Sequence, residues 1–248
     1  MDLQLTGRSA LVTGAAGGIG RAASIALARE GAAAVVVHFN QDESGANGTA
    51  AAVRKAGARP LVLRADLTNE ADVEAMAIAV MREVGPIDVL VNNAGSLIRR
   101  CEFLDSDIQL WKESIDINLL TAYRITARFL PAMIKAGWGR IIMVSSLAAR
   151  TGDTIHYAVA KAGLVVLARG LSSEVARFGV TVNAVAPGYI DTQMHERFHD
   201  VDRRRRVVRV TPVGRVGTPD EIADWIVFLA SEQSGFTTGE TIYVTGGR

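Results

Sequence analysis

Ala10-Leu11-Val12-Thr13-Gly14-Ala15-Ala16-Gly17-Gly18-Ile19-Gly20 is the stretch that decides how this chain folds. An apolar run of strand length gives way to glycines and then to a segment of helix length. Gly14, Gly18 and Gly20 fall at the changeover. Glycine reaches positive φ at no steric cost, and without a Cβ it lets main-chain amides approach a phosphate closely. A helix that begins near Gly18 offers unpaired N–H groups and the positive end of its dipole to an anion. Strand, glycine turn and helix in that order read as the first unit of a nucleotide-binding α/β domain.

The same alternation runs almost from end to end. Strands are expected near 10–13, 34–39, 60–64, 89–92, 140–144, 180–186 and 241–244. Helix-length segments lie between them at 19–30, 44–56, 70–84, 108–136, 157–178 and 220–231. Such a pattern implies a Rossmann-type, doubly wound, mostly parallel seven-stranded sheet with helices on both faces. Strands buried on both sides read as continuous apolar runs, and Val35-Val36-Val37 does so. Thr218-Pro219-Asp220-Glu221 carries a helix-start signal, with proline early and acids in the first turn. No repeat or linker divides the chain, so a single domain over 1–248 is expected.

Bulk composition narrows the function classes. Of the 248 residues, 49% are hydrophobic and 21% charged, which rules out wholesale disorder. The 27 basic and 26 acidic side chains nearly cancel, so no global field draws nucleic acid to the surface. A lone cysteine, Cys101, cannot form an internal disulfide. The start, Met1-Asp2-Leu3-Gln4-Leu5-Thr6, has no basic segment followed by an apolar one. No apolar stretch approaches the ~20 residues of a membrane helix. A cytoplasmic protein with a small-molecule substrate, and no nucleic-acid or membrane partner, is the expectation.

Chemistry is carried by Tyr157-Ala158-Val159-Ala160-Lys161. On a helix, the i,i+4 spacing puts phenol and ammonium on one face. A free tyrosine has a pKa near ~10, and bringing it to about 7 takes roughly 4 kcal/mol of preference for the phenolate. A neighbouring cation supplies part of that. Beside a nucleotide site, the pair points to proton transfer at a carbonyl or alcohol oxygen.

The spacing Gly-x-x-x-Gly-x-Gly from Gly14 to Gly20 resembles the cofactor turn of the short-chain dehydrogenase/reductase family, and other segments follow in that family's order. Asn92-Asn93-Ala94-Gly95 is similar to its sheet-stabilising motif, Tyr157 and Lys161 match its catalytic pair, and Pro187-Gly188 with Thr192 resembles the segment that holds the nicotinamide amide. The flavour is closest to 3-oxoacyl-carrier-protein reductases. The resemblance implies hydride transfer between a nicotinamide cofactor and a carbonyl or secondary alcohol, with Tyr157 as general acid/base, Lys161 on the ribose and lowering the tyrosine pKa, and Asn118 tying Lys161 to a water chain. It also implies cofactor contacts from Thr13, Gly14, Gly18, Ile19 and Gly20, from Phe39 and Asn40 after the second strand, and from Asp66 and Leu67 after the third. Further contacts are implied from Asn93, Ala94 and Gly95, from Tyr157 and Lys161, and from Pro187, Gly188, Ile190 and Thr192. A homotetramer is implied as well. The alternative class is a catalytically silent NAD(P)-binding sensor or interaction protein.

The second strand ends His38-Phe39-Asn40, without the acid that binds ribose hydroxyls and repels a 2′-phosphate. NADP is therefore preferred, with NAD possible, although no arginine lies beside these residues in sequence. The serine expected to assist Tyr157 is Ser146, with Ser145 as competitor. Eleven positions separate Ser146 from Tyr157 where the family commonly has thirteen, so the loop over 147–156 is read as shortened by two.

Two runs fall in the segment expected to form a lid over the substrate, about 189–215. His195-Glu196-Arg197-Phe198-His199 satisfies the zinc-protease pattern His-Glu-x-x-His, but no later histidine completes a site, and no metal is expected. Arg203-Arg204-Arg205-Arg206 reads as a solvated helix face; the other reading, shared with Arg99 and Arg100, is attraction of an anionic substrate or of the cofactor phosphate. Trp111, Trp138 and Trp225 read as packing residues.

Overall fold

A computed structural model describes residues 2–192 and 201–248. Seven strands form one sheet, and every pairing in it is parallel, a step beyond the mostly parallel sheet expected. They are β1 (Ser9–Val12), β2 (Ala34–Phe39), β3 (Arg59–Arg64), β4 (Val89–Asn92), β5 (Gly139–Val144), β6 (Val180–Pro187) and β7 (Thr241–Val244). Their order across the sheet is β3-β2-β1-β4-β5-β6-β7. The order reverses between β1 and β4, which opens a crevice at the carboxyl ends of those two strands.

Period-2 alternation along each strand sorts the apolar side chains into two layers. Val12, Val35, Val37, Val91 and Val144 face one layer, packed under α1 (Gly18–Arg29) and the late helix Pro219–Ala230. Leu11, Val36, Leu90, Ile141 and Met143 face the other, under α3 (Glu70–Glu83), α5 (Thr121–Ala136) and α7 (Ile155–Val175). Each fully buried valine or leucine stabilises the fold by about 1.5–3 kcal/mol relative to exposure. Between these helices lie α2 (Glu43–Lys55), α4 (Ile108–Ile115) and the short α6 (Ala148–Thr151); α8 (Val201–Val210) and α9 (Pro219–Ala230) follow β6.

Helix starts explain why one end is left for a ligand. Asn69 caps α3 by accepting from the N–H groups of Ala71 and Asp72, at 2.8 and 3.3 Å. Thr218 and Glu221 close a reciprocal capping box on α9, with Pro219 inside the first turn. α1 has none of this: its cap is Gly17, no side chain bonds its first turn, and no acid stands there. Its amide end points into the crevice instead.

The segment expected as one helix over 108–136 is continuous but not uniform. A π-helical turn, Asp116–Leu120, joins α4 to α5. The extra residue widens the turn around Asn118, and such insertions occur mostly at functional sites. The His195–His199 motif lies outside the described residues, as do the side chains of Arg203 and Arg204.

Candidate active site

The floor of the crevice is a network that joins β1 to β4. Thr13 Oγ1 accepts from the N–H groups of Asn93 and Ala94, each at 2.9 Å. Asn93 Nδ2 donates to the carbonyls of Thr13 and Gly14, at 2.9 and 3.0 Å. Thr13, only 1% exposed, works as a brace between the two strands. Gly14 sits at φ +64, and a Cβ there would meet Ala94 Cα at 3.0 Å. At Gly20 a Cβ would run into the Gly14 carbonyl, so the turn tolerates only glycine at both places.

His38 belongs to the same framework. Its Nδ1 accepts from Gly14 N–H at 3.1 Å and its Nε2 lies 3.1 Å from the Ala65 carbonyl, an arrangement that suits the neutral ring with the proton on Nε2. Burial lowers its pKa to about 4. It is a neutral strand residue, not a phosphate-binding cation.

A cation does stand nearby. In the β2–β3 register Arg64 lies opposite Phe39, and its Nε donates to the Asn40 carbonyl at 3.1 Å. Sequence distance hides this neighbour; only strand pairing brings it alongside. The expectation that no arginine accompanies the end of β2 is corrected accordingly. Asp42 lines the crevice and caps α2 by accepting from Gly45 N–H at 2.9 Å.

The crevice has a volume of about 740 Å³. Gly14, Gly17, Gly18 and Ile19 line one end; Pro187, Gly188, Ile190 and Thr192 line the far wall. A Cβ on Gly18 would touch the Thr192 side chain at 3.2 Å, so the two walls nearly meet there. Phe39, Asn40, Asp66, Leu67 and Ala94 lie outside the main cavity, as do Gly20 and Asn118. Asp66 is turned toward its own loop and accepts from Thr68 N–H and Oγ1 at 2.9 and 2.7 Å. Size, glycine lining and an uncapped helix end fit a dinucleotide.

Toward the middle, Ser145, Ser146, Tyr157 and Lys161 come together, but the two serines diverge. Ser145 Oγ, buried, donates to the Lys161 carbonyl at 2.7 Å. Ser146 Oγ accepts from Ala148 N–H at 3.1 Å and lies close enough to the Tyr157 hydroxyl to favour its ionised form. Lys161 Nζ donates to the Val144 carbonyl at 2.9 Å and lies 5.8 Å from the Tyr157 ring centre.

The electrostatics differ from the sequence-based expectation. Burial pushes the Tyr157 phenol up to about 12, against smaller opposing effects of Ser146 and of the Arg100 guanidinium. Burial also brings Lys161 down to about 8. Desolvation outweighs the opposing effects on the phenol, among which Arg100 supplies a charge. At neutral pH the tyrosine holds its proton and the lysine is still mostly charged.

Asn118 is fully buried and does not reach Lys161 by a hydrogen bond. Its Nδ2 donates to the carbonyls of Ser96 and Ser114, and its Oδ1 accepts from Ser96 N–H at 3.0 Å. It pins the strand-β4 loop beside Gly95, where a Cβ would press on Asn118 Oδ1 at 2.6 Å and Lys161 Nζ at 3.2 Å.

Two residues were not singled out by sequence. His156, 2% exposed, bridges Ser114 Oγ and the Arg99 carbonyl, each at 3.0 Å, and so fixes the 99–100 loop against the start of α7. A lone histidine carries no pattern that would reveal this. Thr154 takes φ 56, a left-handed conformation that is rare for a β-branched residue. It sits in the shortened loop, and its Oγ1 accepts from Arg100 Nη1 at 2.8 Å.

Comparison with known proteins agrees with this geometry. The family described as Enoyl-(Acyl carrier protein) reductase matches residues 14–248. The chain is 37% identical to the 3-oxoacyl-(acyl-carrier-protein) reductase FabG of Escherichia coli (strain K12), over 99% of this chain and 98% of that protein. Identity is 40% to the corresponding Vibrio harveyi reductase, with the same coverage. Among solved structures, a putative gluconate dehydrogenase from Agrobacterium tumefaciens superposes with a TM-score of 0.93 at 32% identity, covering 100% of this chain and 98% of that one.

Proposed function

The chain belongs to the short-chain dehydrogenase/reductase family of NAD(P)-dependent oxidoreductases, which interconvert carbonyls and alcohols, and from that premise we propose that it acts on a secondary alcohol or the matching ketone with NADP(H) preferred. The observation that carries the reading is the pairing of the Ser146 and Tyr157 hydroxyls in the crevice, with Lys161 buried one helical turn away. Two hydroxyls directed at one point serve an oxygen that is gaining or losing a proton.

A bound nicotinamide dinucleotide supplies the hydride donor or acceptor. Gly14, Gly17 and Gly18 with the open end of α1 would hold its pyrophosphate, and Pro187, Gly188, Ile190 and Thr192 would line its nicotinamide end. Tyr157 holds the proton destined for the substrate oxygen, and Ser146 donates to that same oxygen. Lys161, still charged at neutral pH, favours the phenolate left behind. Asn118 positions the loop at 95–96 that forms the crevice wall. Arg64 supports the NADP preference, because a guanidinium beside Asn40 favours a 2′-phosphate on the adenosine ribose.

In this reading residues 1–248 are one catalytic domain, and 189–215 form its lid, of which Ile190, Thr192, Arg206, Val207 and Val210 line the crevice. Exposed Ile108, Tyr123, Val159 and Val166 on α4, α5 and α7 support assembly into a homotetramer. A phenol held at about 12 is the observation that favours the second reading, a silent dinucleotide-binding protein. Following NADPH absorbance across ketones, aldehydes and 3-oxoacyl thioesters separates them. Turnover that vanishes in Tyr157→Phe supports the enzyme; tight NADPH binding with no turnover anywhere supports the silent binder.

A further inference from the structure

We infer that the substrate end of the crevice is built for an anion, with Arg100 as the ligand for a carboxylate carried on the same short molecule as the reacting hydroxyl or carbonyl group. This rests on the oxidoreductase reading above and names the class of substrate that reading leaves open.

The crevice is asymmetric in charge. Asp42 lines it beside the glycine turn, whereas Arg100, Arg206 and Arg248 line it elsewhere, with Asp153 as the other acidic side chain among the described residues. Arg100 is the inner member of the three. It lines the same cavity as Tyr157, and its charge acts on the phenol, so a carboxylate held by it shares the cavity with the reacting group.

Arg100 is also held in place. His156 ties the Arg99 carbonyl to α7, and Thr154 Oγ1 receives Nη1 at 2.8 Å. Thr154 occupies a left-handed backbone conformation while it does so, which marks a position held by its surroundings. Asp153 meets Nη1 through both its oxygens, at 3.3 and 3.4 Å, and is 56% exposed. A rim pair of this kind is worth little in water. A better placed substrate carboxylate can share or take over the guanidinium, whose fork suits two oxygens at once.

A neutral acyl thioester has no group that uses this charge. A protein-borne acyl chain would gain from basic residues outside the mouth, not from one beside the phenol. The placement of Arg100 therefore favours a free hydroxy acid or oxo acid over a carrier-bound acyl group.

The test uses the intact protein with NADP or NAD and probe pairs that differ only in the carboxylate: D-gluconate with D-glucitol, 3-hydroxybutyrate with 2-butanol, and acetoacetate with methyl acetoacetate and acetoacetyl-CoA. We expect the acid to lead in kcat/KM by roughly 10- to 100-fold in at least one pair, with the gap in KM. Arg100→Gln collapses that gap, Arg100→Lys leaves part of it, and the remote surface substitution Arg82→Gln leaves it whole. Thermal-shift titration, read without turnover, should show stabilisation by the preferred acid and not by its neutral partner, and lose it in Arg100→Gln. Melting temperature checks that each variant folds, and Arg100→Lys carries the test if Arg100→Gln does not. Neutral partners or acetoacetyl-CoA turned over as well as the acids, or an acid preference that survives Arg100→Gln, would overturn the inference and leave the oxidoreductase reading standing. No turnover in any pair with either cofactor removes both.

Discussion

Adjacent serines just past β5 face different tasks because successive side chains of an extended chain point to opposite sides. Ser145 is still in register with β6, where its N–H donates to the Val185 carbonyl, and its hydroxyl is spent on the Lys161 carbonyl. Ser146 turns to Tyr157. Ser146→Ala should therefore lower kcat by about 10²-fold, the usual cost of losing one donor to a developing oxyanion. Ser145→Ala should lower kcat much less and instead cost about 1 kcal/mol of stability, as one buried hydrogen bond is lost. Steady-state kinetics beside denaturant unfolding checks both, and the reverse ranking in kcat would reassign the catalytic hydroxyl. Tyr157→Phe keeps the ring and removes the proton. Its turnover should fall at least ~10²–10⁴-fold, while the dinucleotide dissociation constant measured by fluorescence titration stays within a few-fold.

Among the elements, the β2–β3 pair settles a matter that neither strand shows alone. β2 ends His38-Phe39 and β3 ends Leu63-Arg64; parallel pairing sets Phe39 against Arg64. The strands are 20 or more residues apart in the chain, so the neighbour is invisible until register is known. Arg64→Gln should weaken NADPH binding by roughly tenfold and leave NADH binding nearly unchanged, because a charge-assisted contact is lost only where the 2′-phosphate exists. Equal loss for both cofactors in calorimetric titrations would remove Arg64 from the phosphate site. What could be read from sequence follows the same logic. The glycine turn, the alternation of strands and helices, and Tyr157 with Lys161 are local patterns, and each occupies the place in the fold that its pattern implied. Residues whose surroundings come from distant segments were not legible: the neutral tautomer of His38, the brace role of Thr13, the Asn118 bonds to Ser96, and the desolvation that raises Tyr157. The π-helical turn at Asp116–Leu120 was hidden for another reason, since one inserted residue barely disturbs a helical hydrophobic pattern.

For the whole molecule, burial of three titratable groups writes a pH profile into stability. Folding holds His38 at about 4 against an ordinary 6.5, so below pH 6.5 the unfolded chain takes up a proton that the folded chain refuses. Stability should decline by about 3 kcal/mol from this group as pH falls from 6.5 to 4, and no further below that. Lys161 is held at about 8 against 10.5, also a depressed value. Its contribution is lost as pH falls from 10.5 to 8, so stability should rise with pH across that window. Tyr157, raised to about 12, opposes this above pH 10, where only the unfolded chain releases the phenolic proton. Other carboxylates titrate in acid as well, so the informative quantity is a difference between variants. Urea unfolding of wild type and His38→Asn should run parallel from pH 9 to 7 and change separation by about 3 kcal/mol between 6.5 and 4; wild type and Lys161→Met should do so between 8 and 10. A separation that stays constant through either window would mean that the group is not buried as described. The acid limb should carry dinucleotide affinity with it. Protonated Nδ1 can no longer accept from Gly14 N–H, so the turn proposed to receive the pyrophosphate should loosen in the same range of pH that destabilises the sheet beneath it.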